Sequence, residues 1–188
     1  MQIPAFDRNP LRRVGWIVLL TTATVAGSFA FACATPFPAL AAFAALHMNR
    51  RDAFILTGII WIMNQVVGYG FLHYPQTWDS FAWGVAIGVA AVVATGIAAR
   101  TKWTLRSLAR PLIILGSFAA AFIGYEVVLY TATVVLPSEP SAFSPAVVGY
   151  ILEVNAIAFA GLVALQYASV RIGLALPRQS VGPTATAA

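Results

Sequence analysis

The placement of positive charge constrains this chain more than any other feature. All eleven Lys and Arg residues fall between alternate apolar stretches. Arg8, Arg12 and Arg13 precede the first stretch, and Arg50 and Arg51 follow the second. Arg100, Lys102, Arg106 and Arg110 separate the fourth from the fifth, and Arg171 and Arg178 follow the sixth. The connections between these basic ones carry neither residue type. Short connections rich in Lys and Arg stay on the cytoplasmic side during membrane insertion. The pattern therefore predicts an all-α, polytopic transmembrane bundle of six helices, with both termini cytoplasmic, in a bacterial plasma membrane.

Composition agrees with that reading. Charged residues make up 9% of the chain and the hydrophobic set 60%, against about 25% and 45–50% in soluble domains. A water-soluble fold of this size has no interior large enough for so much apolar surface, whereas a bilayer accommodates it. The net charge of +5 is spread over four connecting stretches, which makes it topogenic and argues against a nucleic-acid partner. The lone cysteine, Cys33, excludes an internal disulfide and a cysteine-based metal cluster. His47 and His73 fall near opposite faces of the bundle, so no metal site is expected.

A helix needs about 20 apolar residues to cross the hydrocarbon core. Segments are expected at about Val14 to Ala34, Pro36 to Met48, Ala53 to Leu72, Phe81 to Ala99, Pro111 to Leu136, and Pro145 to Val170. Residues 1–175 form a single domain on this reading, and the Ser, Thr, Ala, Pro and Gly residues of 176–188 form a disordered tail. The second segment is anomalous. Thr35-Pro36-Phe37-Pro38 marks a helix start, with proline in the first turn and threonine before it. A helix of about 13 residues reaches only roughly 20 Å, so it must tilt into a thinned bilayer or be re-entrant. A competing reading treats Ala32-Cys33-Ala34 as a signal-peptidase site, which leaves five helices. The link from Thr101 to Arg110 is expected to form an interfacial turn carrying Trp103, Leu105 and Leu108.

Ionisable residues within membrane segments are costly and mark function. Glu126 falls just past the middle of the fifth segment, sharing a helical stripe with Tyr130 and Thr133. Glu153 falls about two turns into the sixth, near Tyr150 and Asn155. In the third, Asn64 and Gln65 are central, and Gln65 shares a face with Trp61 and Tyr69. All lie at the centre or in the outer half. Their common depth predicts a polar, aromatic-lined pocket open to the outside, with Trp61, Asn64, Gln65, Tyr69, Glu126, Tyr130, Tyr150, Glu153 and Asn155 as ligand contacts. The competing reading assigns the same residues to interhelical hydrogen bonds.

Small residues recur every fourth position: Ala26, Ala30 and Ala34 in the first segment, Gly84 and Gly88 in the fourth, Gly116, Ala120 and Gly124 in the fifth, and Ala156, Ala160, Ala164 and Ala168 in the sixth. Such ladders allow helix backbones to approach closely. Six short helices, internal termini, an outward pocket and the ladder Ala26-xxx-Ala30-xxx-Ala34 together resemble the substrate-capture (S) subunits of energy-coupling-factor vitamin transporters. The resemblance implies that Ala26, Ala30 and Ala34 dock on a membrane coupling subunit. It also implies that the pocket holds a vitamin-like small molecule, and that separate ATPases drive uptake.

The expected function is thus capture and transport of a small organic molecule, uncharged or cationic, without a cofactor. An alternative is a structural or assembly subunit of a larger membrane complex. A proton-coupled carrier and an enzyme acting on a membrane lipid through Glu126 or Glu153 are further alternatives. No catalytic motif and no phosphate-binding loop is present in the sequence.

Overall fold

The computed structural model describes residues 35–171, together with Val14, Gly15 and Val18. The described residues form helices and their connections, without strands. Five helices follow in order: α1 (Phe37–His47), α2 (Arg50–Gly70), α3 (Trp78–Thr104), α4 (Arg110–Ala132) and α5 (Pro145–Arg171). Four of them, α2 to α5, are long and apolar enough to cross a membrane. The chain is read accordingly as a multi-pass membrane protein. The expected first segment, with Ala26, Ala30 and Ala34, lies almost wholly outside the described residues, as do Cys33 and the 176–188 tail.

The helices α2 to α5 alternate in direction. Thr57 on α2 meets Thr95 on α3 near one end, and Tyr69 meets Ser80 near the other. Phe118 on α4 stacks on Phe159 of α5, while Arg110 lies over the Tyr167 ring. This alternation gathers Arg50, Lys102, Arg110 and Arg171 at one end of the bundle, here termed the basic end. Leu112, Leu115, Ile123, Val127 and Ile157 are exposed around its flanks. An apolar girdle of that kind suits acyl chains as solvent.

The second expected segment becomes α1, and every one of its eleven residues is buried. Its sequence has no polar face: seven of the eleven are alanine or leucine at 5% exposure or less, and Phe37, Pro38 and Phe43 are buried too. A helix apolar all round belongs inside a bundle, not at its surface. At 1.5 Å per residue its eleven residues span about 16 Å, half a hydrocarbon core. The short helix is enclosed by α2, α3, α4 and α5.

Close packing around α1 uses small residues. Ala90, Ala94 and Ala98 recur every fourth position on α3, and with Ala91 and Ala121 they are wholly buried. This alanine stripe belongs to the core cluster that contains α1. Gly84 and Gly88 instead serve the α2–α3 contact, where a Cβ would meet Gln65 and Trp61. The ladder Ala156, Ala160, Ala164 and Ala168 on α5 is exposed, so it does not pack inside the bundle.

The expected link from Thr101 to Arg110 is shorter than the sequence suggests. Helix α3 continues through Thr104, because no glycine or proline interrupts it and the basic side chains can reach past the apolar zone. Only 105–109 connect α3 to α4. At the other end, α2 closes with Phe71 and Leu72 both donating to the Val67 carbonyl, and Tyr74 donating to that of Gly68. The Tyr74 ring lies where a Cβ on Gly68 would be, and His73 adopts a left-handed φ of 56° to make the reversal. Helix α4 ends at Ala132, before the expected Leu136, with 133–136 forming turns.

Candidate functional site

A helix begins with backbone N–H groups that have no partner within the helix, and burial makes each orphan costly. The start of α1 shows how these are met inside the bundle. Phe37 N–H donates to the Thr35 carbonyl at 2.8 Å. Pro38 has no N–H. Ala39 N–H donates to Oδ1 of Asn155 on α5 at 3.1 Å. Leu40 N–H donates to the Pro36 carbonyl at 3.1 Å and starts the regular ladder. Asn155 Nδ2 donates in turn to the Ile151 carbonyl at 2.9 Å, which fixes the amide. Beside it, the Thr35 hydroxyl donates to Oδ1 of Asn64 on α2 at 2.6 Å. Two amides from separate helices thus hold the entry to α1.

Glu126 lies at the same level. Tyr125, its neighbour on α4, stacks on Phe37 with ring centroids 6.2 Å apart. Glu126 itself is half-buried, yet both carboxylate oxygens are closed to solvent and have no hydrogen-bond partner among the described residues. An acceptor left in that condition is the feature of the bundle most in need of a ligand, proton or partner group.

The other expected contacts separate into two groups. Trp61, Gln65 and Tyr69 do share a face of α2, and that face is spent on α3. Trp61 Nε1 donates to the Gly84 carbonyl at 2.8 Å. Gln65 lies against Gly84, and the Tyr69 hydroxyl is 3.1 Å from that of Ser80. Tyr69 also stacks on Phe81 at 4.7 Å. Tyr130, Tyr150 and Glu153 form the second group. All three are exposed, with Tyr130 set edge-on to Phe143 at 5.5 Å. The structure thus brings Asn64, Asn155 and Glu126 to one level around the start of α1 and leaves the remaining six outside that cluster. Among the described residues, no group of His, Cys, Asp and Glu is arranged to hold a metal.

The opposite end of α1 is held by residues that in the sequence read only as topogenic charge. Lys102 Nζ donates to the carbonyls of Ala45 and Leu46, both at 2.8 Å. These are carbonyls of the last turn, which carry the negative end of the helix dipole. His47, buried against Phe43, bonds the Phe43 carbonyl through Nδ1 at 3.0 Å. Next to this cap, α1, α2, α3 and α4 border a half-open cavity of about 690 Å³ lined by Arg50, Arg100, Lys102, Trp103 and Arg106 above an apolar floor. The one signal in the sequence is three cations and a tryptophan, Arg100, Lys102, Trp103 and Arg106, within a single helix end and its link.

Against known protein families, characterised proteins and solved structures, the chain gives no match.

Proposed function

We propose that this chain is a membrane-embedded binding subunit of a transport system that captures a small organic molecule. The observation that carries this reading is Glu126. A carboxylate inside a membrane helix costs about 2.5–3.5 kcal/mol on insertion scales, and this one has no described partner to offset that cost. A cationic or hydrogen-bond-donating ligand would offset it. The site has the form seen where a helix stops inside the membrane, with a half-length helix presenting its first turn to an interior polar cluster. In this reading a separate coupling subunit and ATPases supply the energy, as in the energy-coupling-factor systems, and uptake proceeds from the face opposite the basic end.

The test is mass spectrometry of small molecules that co-purify with the full chain from native membranes, for the natural protein and for Glu126→Gln. The expected result is a discrete small molecule retained by the former and depleted at least tenfold in a variant that elutes and melts like it, on the order of one charged hydrogen bond. An equal yield of every species from both proteins would refute the role of Glu126.

A second reading, a structural subunit of a larger complex, has its own observation. Ala156, Ala160, Ala164 and Ala168 on α5 present an exposed small-residue stripe suited to another helix. Ala160→Leu should weaken co-purification of a stoichiometric membrane partner under this reading and leave small-molecule retention unchanged.

A further inference from the structure

The cavity at the basic end differs in chemistry from the Glu126 cluster and stands independently of it. Arg50, Arg100 and Arg106 line it, and none of the three has a carboxylate partner among the described residues. Each lies over an aromatic face. Arg106 lies 4.6 Å from the Trp103 ring centroid, Arg100 5.9 Å from the same ring, and Arg50 5.9 Å from that of Phe54. Stacking on a ring orients a guanidinium without using its N–H donors. The fourth cation, Lys102, is anchored on the α1 carbonyls. Among the described residues no acidic side chain lines the cavity, although Asp52 lies nearby on α2, buried and bonded to Asn49 at 2.7 Å. At about 690 Å³ the space falls within the roughly 300–1,000 Å³ of small-ligand sites.

We infer that this cavity binds a phosphate group carried by an amphiphilic or soluble anion. Guanidinium donors match phosphate oxygens in pairs, and the positive surplus of three arginines is partly offset by one anionic phosphate group. Basic pockets between membrane helices at the level of the headgroups are suited to anionic lipids. The apolar floor formed by Ala53, Ala99 and Ile113 favours the lipid source, with the headgroup in the cavity and the chains along the bundle. Because Lys102 joins the cavity wall to the last turn of α1, an occupied site also steadies the buried helix.

The experiment uses the full chain in a neutral detergent, analysed by native mass spectrometry with equal amounts of phosphatidylglycerol and phosphatidylcholine. Phosphatidylglycerol should be retained in preference, and Arg100→Gln with Arg106→Gln should reduce that preference on the order of 20-fold. Arg100→Lys with Arg106→Lys keeps the charge and loses the paired donors, so it should fall between. Arg51→Gln with Arg171→Gln, which removes basic residues outside the cavity, should leave the preference intact. Pyrophosphate at millimolar concentration distinguishes the sources. Displacement of the lipid by pyrophosphate, or retention of pyrophosphate alone, supports the site with a soluble anion as occupant, and retention of lipid against it supports the headgroup. Equal retention of both lipids with no retention of pyrophosphate overturns the inference, as does an Arg51/Arg171 variant that loses as much preference as the cavity variant.

Discussion

The two ends of α1 solve one physical problem with opposite chemistry. At its start, the free N–H groups meet neutral acceptors: a backbone carbonyl and the Asn155 amide, with Asn64 holding Thr35 alongside. At its finish, the free carbonyls meet a full positive charge, the Lys102 ammonium. The difference follows depth. The last turn of α1 lies beside the basic end, where water and headgroups share the cost of charge. The first turn lies inside the bundle, where an amide satisfies a donor without adding a net charge. The helix dipole favours a negative group at the first turn and a cation at the last, and Glu126 and Lys102 lie at the corresponding levels.

The comparison can be broken from either end. The largest effect is expected at the charged one: Lys102→Met removes two charge-assisted hydrogen bonds and strands two carbonyls, which should cost about 3 kcal/mol or more. Denaturation of the purified chain in mixed detergent micelles measures it, and a loss below 1 kcal/mol would show that water replaces the ammonium. Asn155→Ala orphans only the Ala39 N–H and should cost about 1–3 kcal/mol in the same assay. If it costs as much as Lys102→Met, the depth argument fails. The smallest effect is expected away from both ends. The Thr57 and Thr95 hydroxyls lie 2.9 Å apart, and each is also 2.9 Å from a carbonyl of its own helix, so one donates across to the other and the second donates to its own helix. Thr95→Val should therefore cost only about 0.6 kcal/mol, the average for a membrane interhelical hydrogen bond.

Much of the scaffold is legible in the sequence. Alternating charge marks the helix boundaries, and Thr35-Pro36-Phe37-Pro38 marks the start of α1 within a residue or two. The shortness of α1 was visible, but its complete burial was not. A helix with no polar face gives no directional signal, so sequence periodicity does not show what surrounds it. The face shared by Trp61, Gln65 and Tyr69 was legible as a face. That it meets α3 depends on glycines at 84 and 88, which admit the large side chains. Lys102 was the least legible residue. Topogenic lysines and a lysine that turns inward to cap a helix are identical in sequence, and only the position of the α1 carbonyls separates them.

The central claim is that α1 is a half-length helix enclosed on all sides. Nitroxide labels placed one at a time along 39–46, read for collisions with dissolved oxygen in proteoliposomes, test it directly, with 147–157 on α5 as reference. Uniformly low oxygen access is expected along α1, with no periodic rise, against a clear 3.6-residue oscillation on α5. An oscillation of the same size along α1 would mean that one of its faces meets lipid, and would contradict the account.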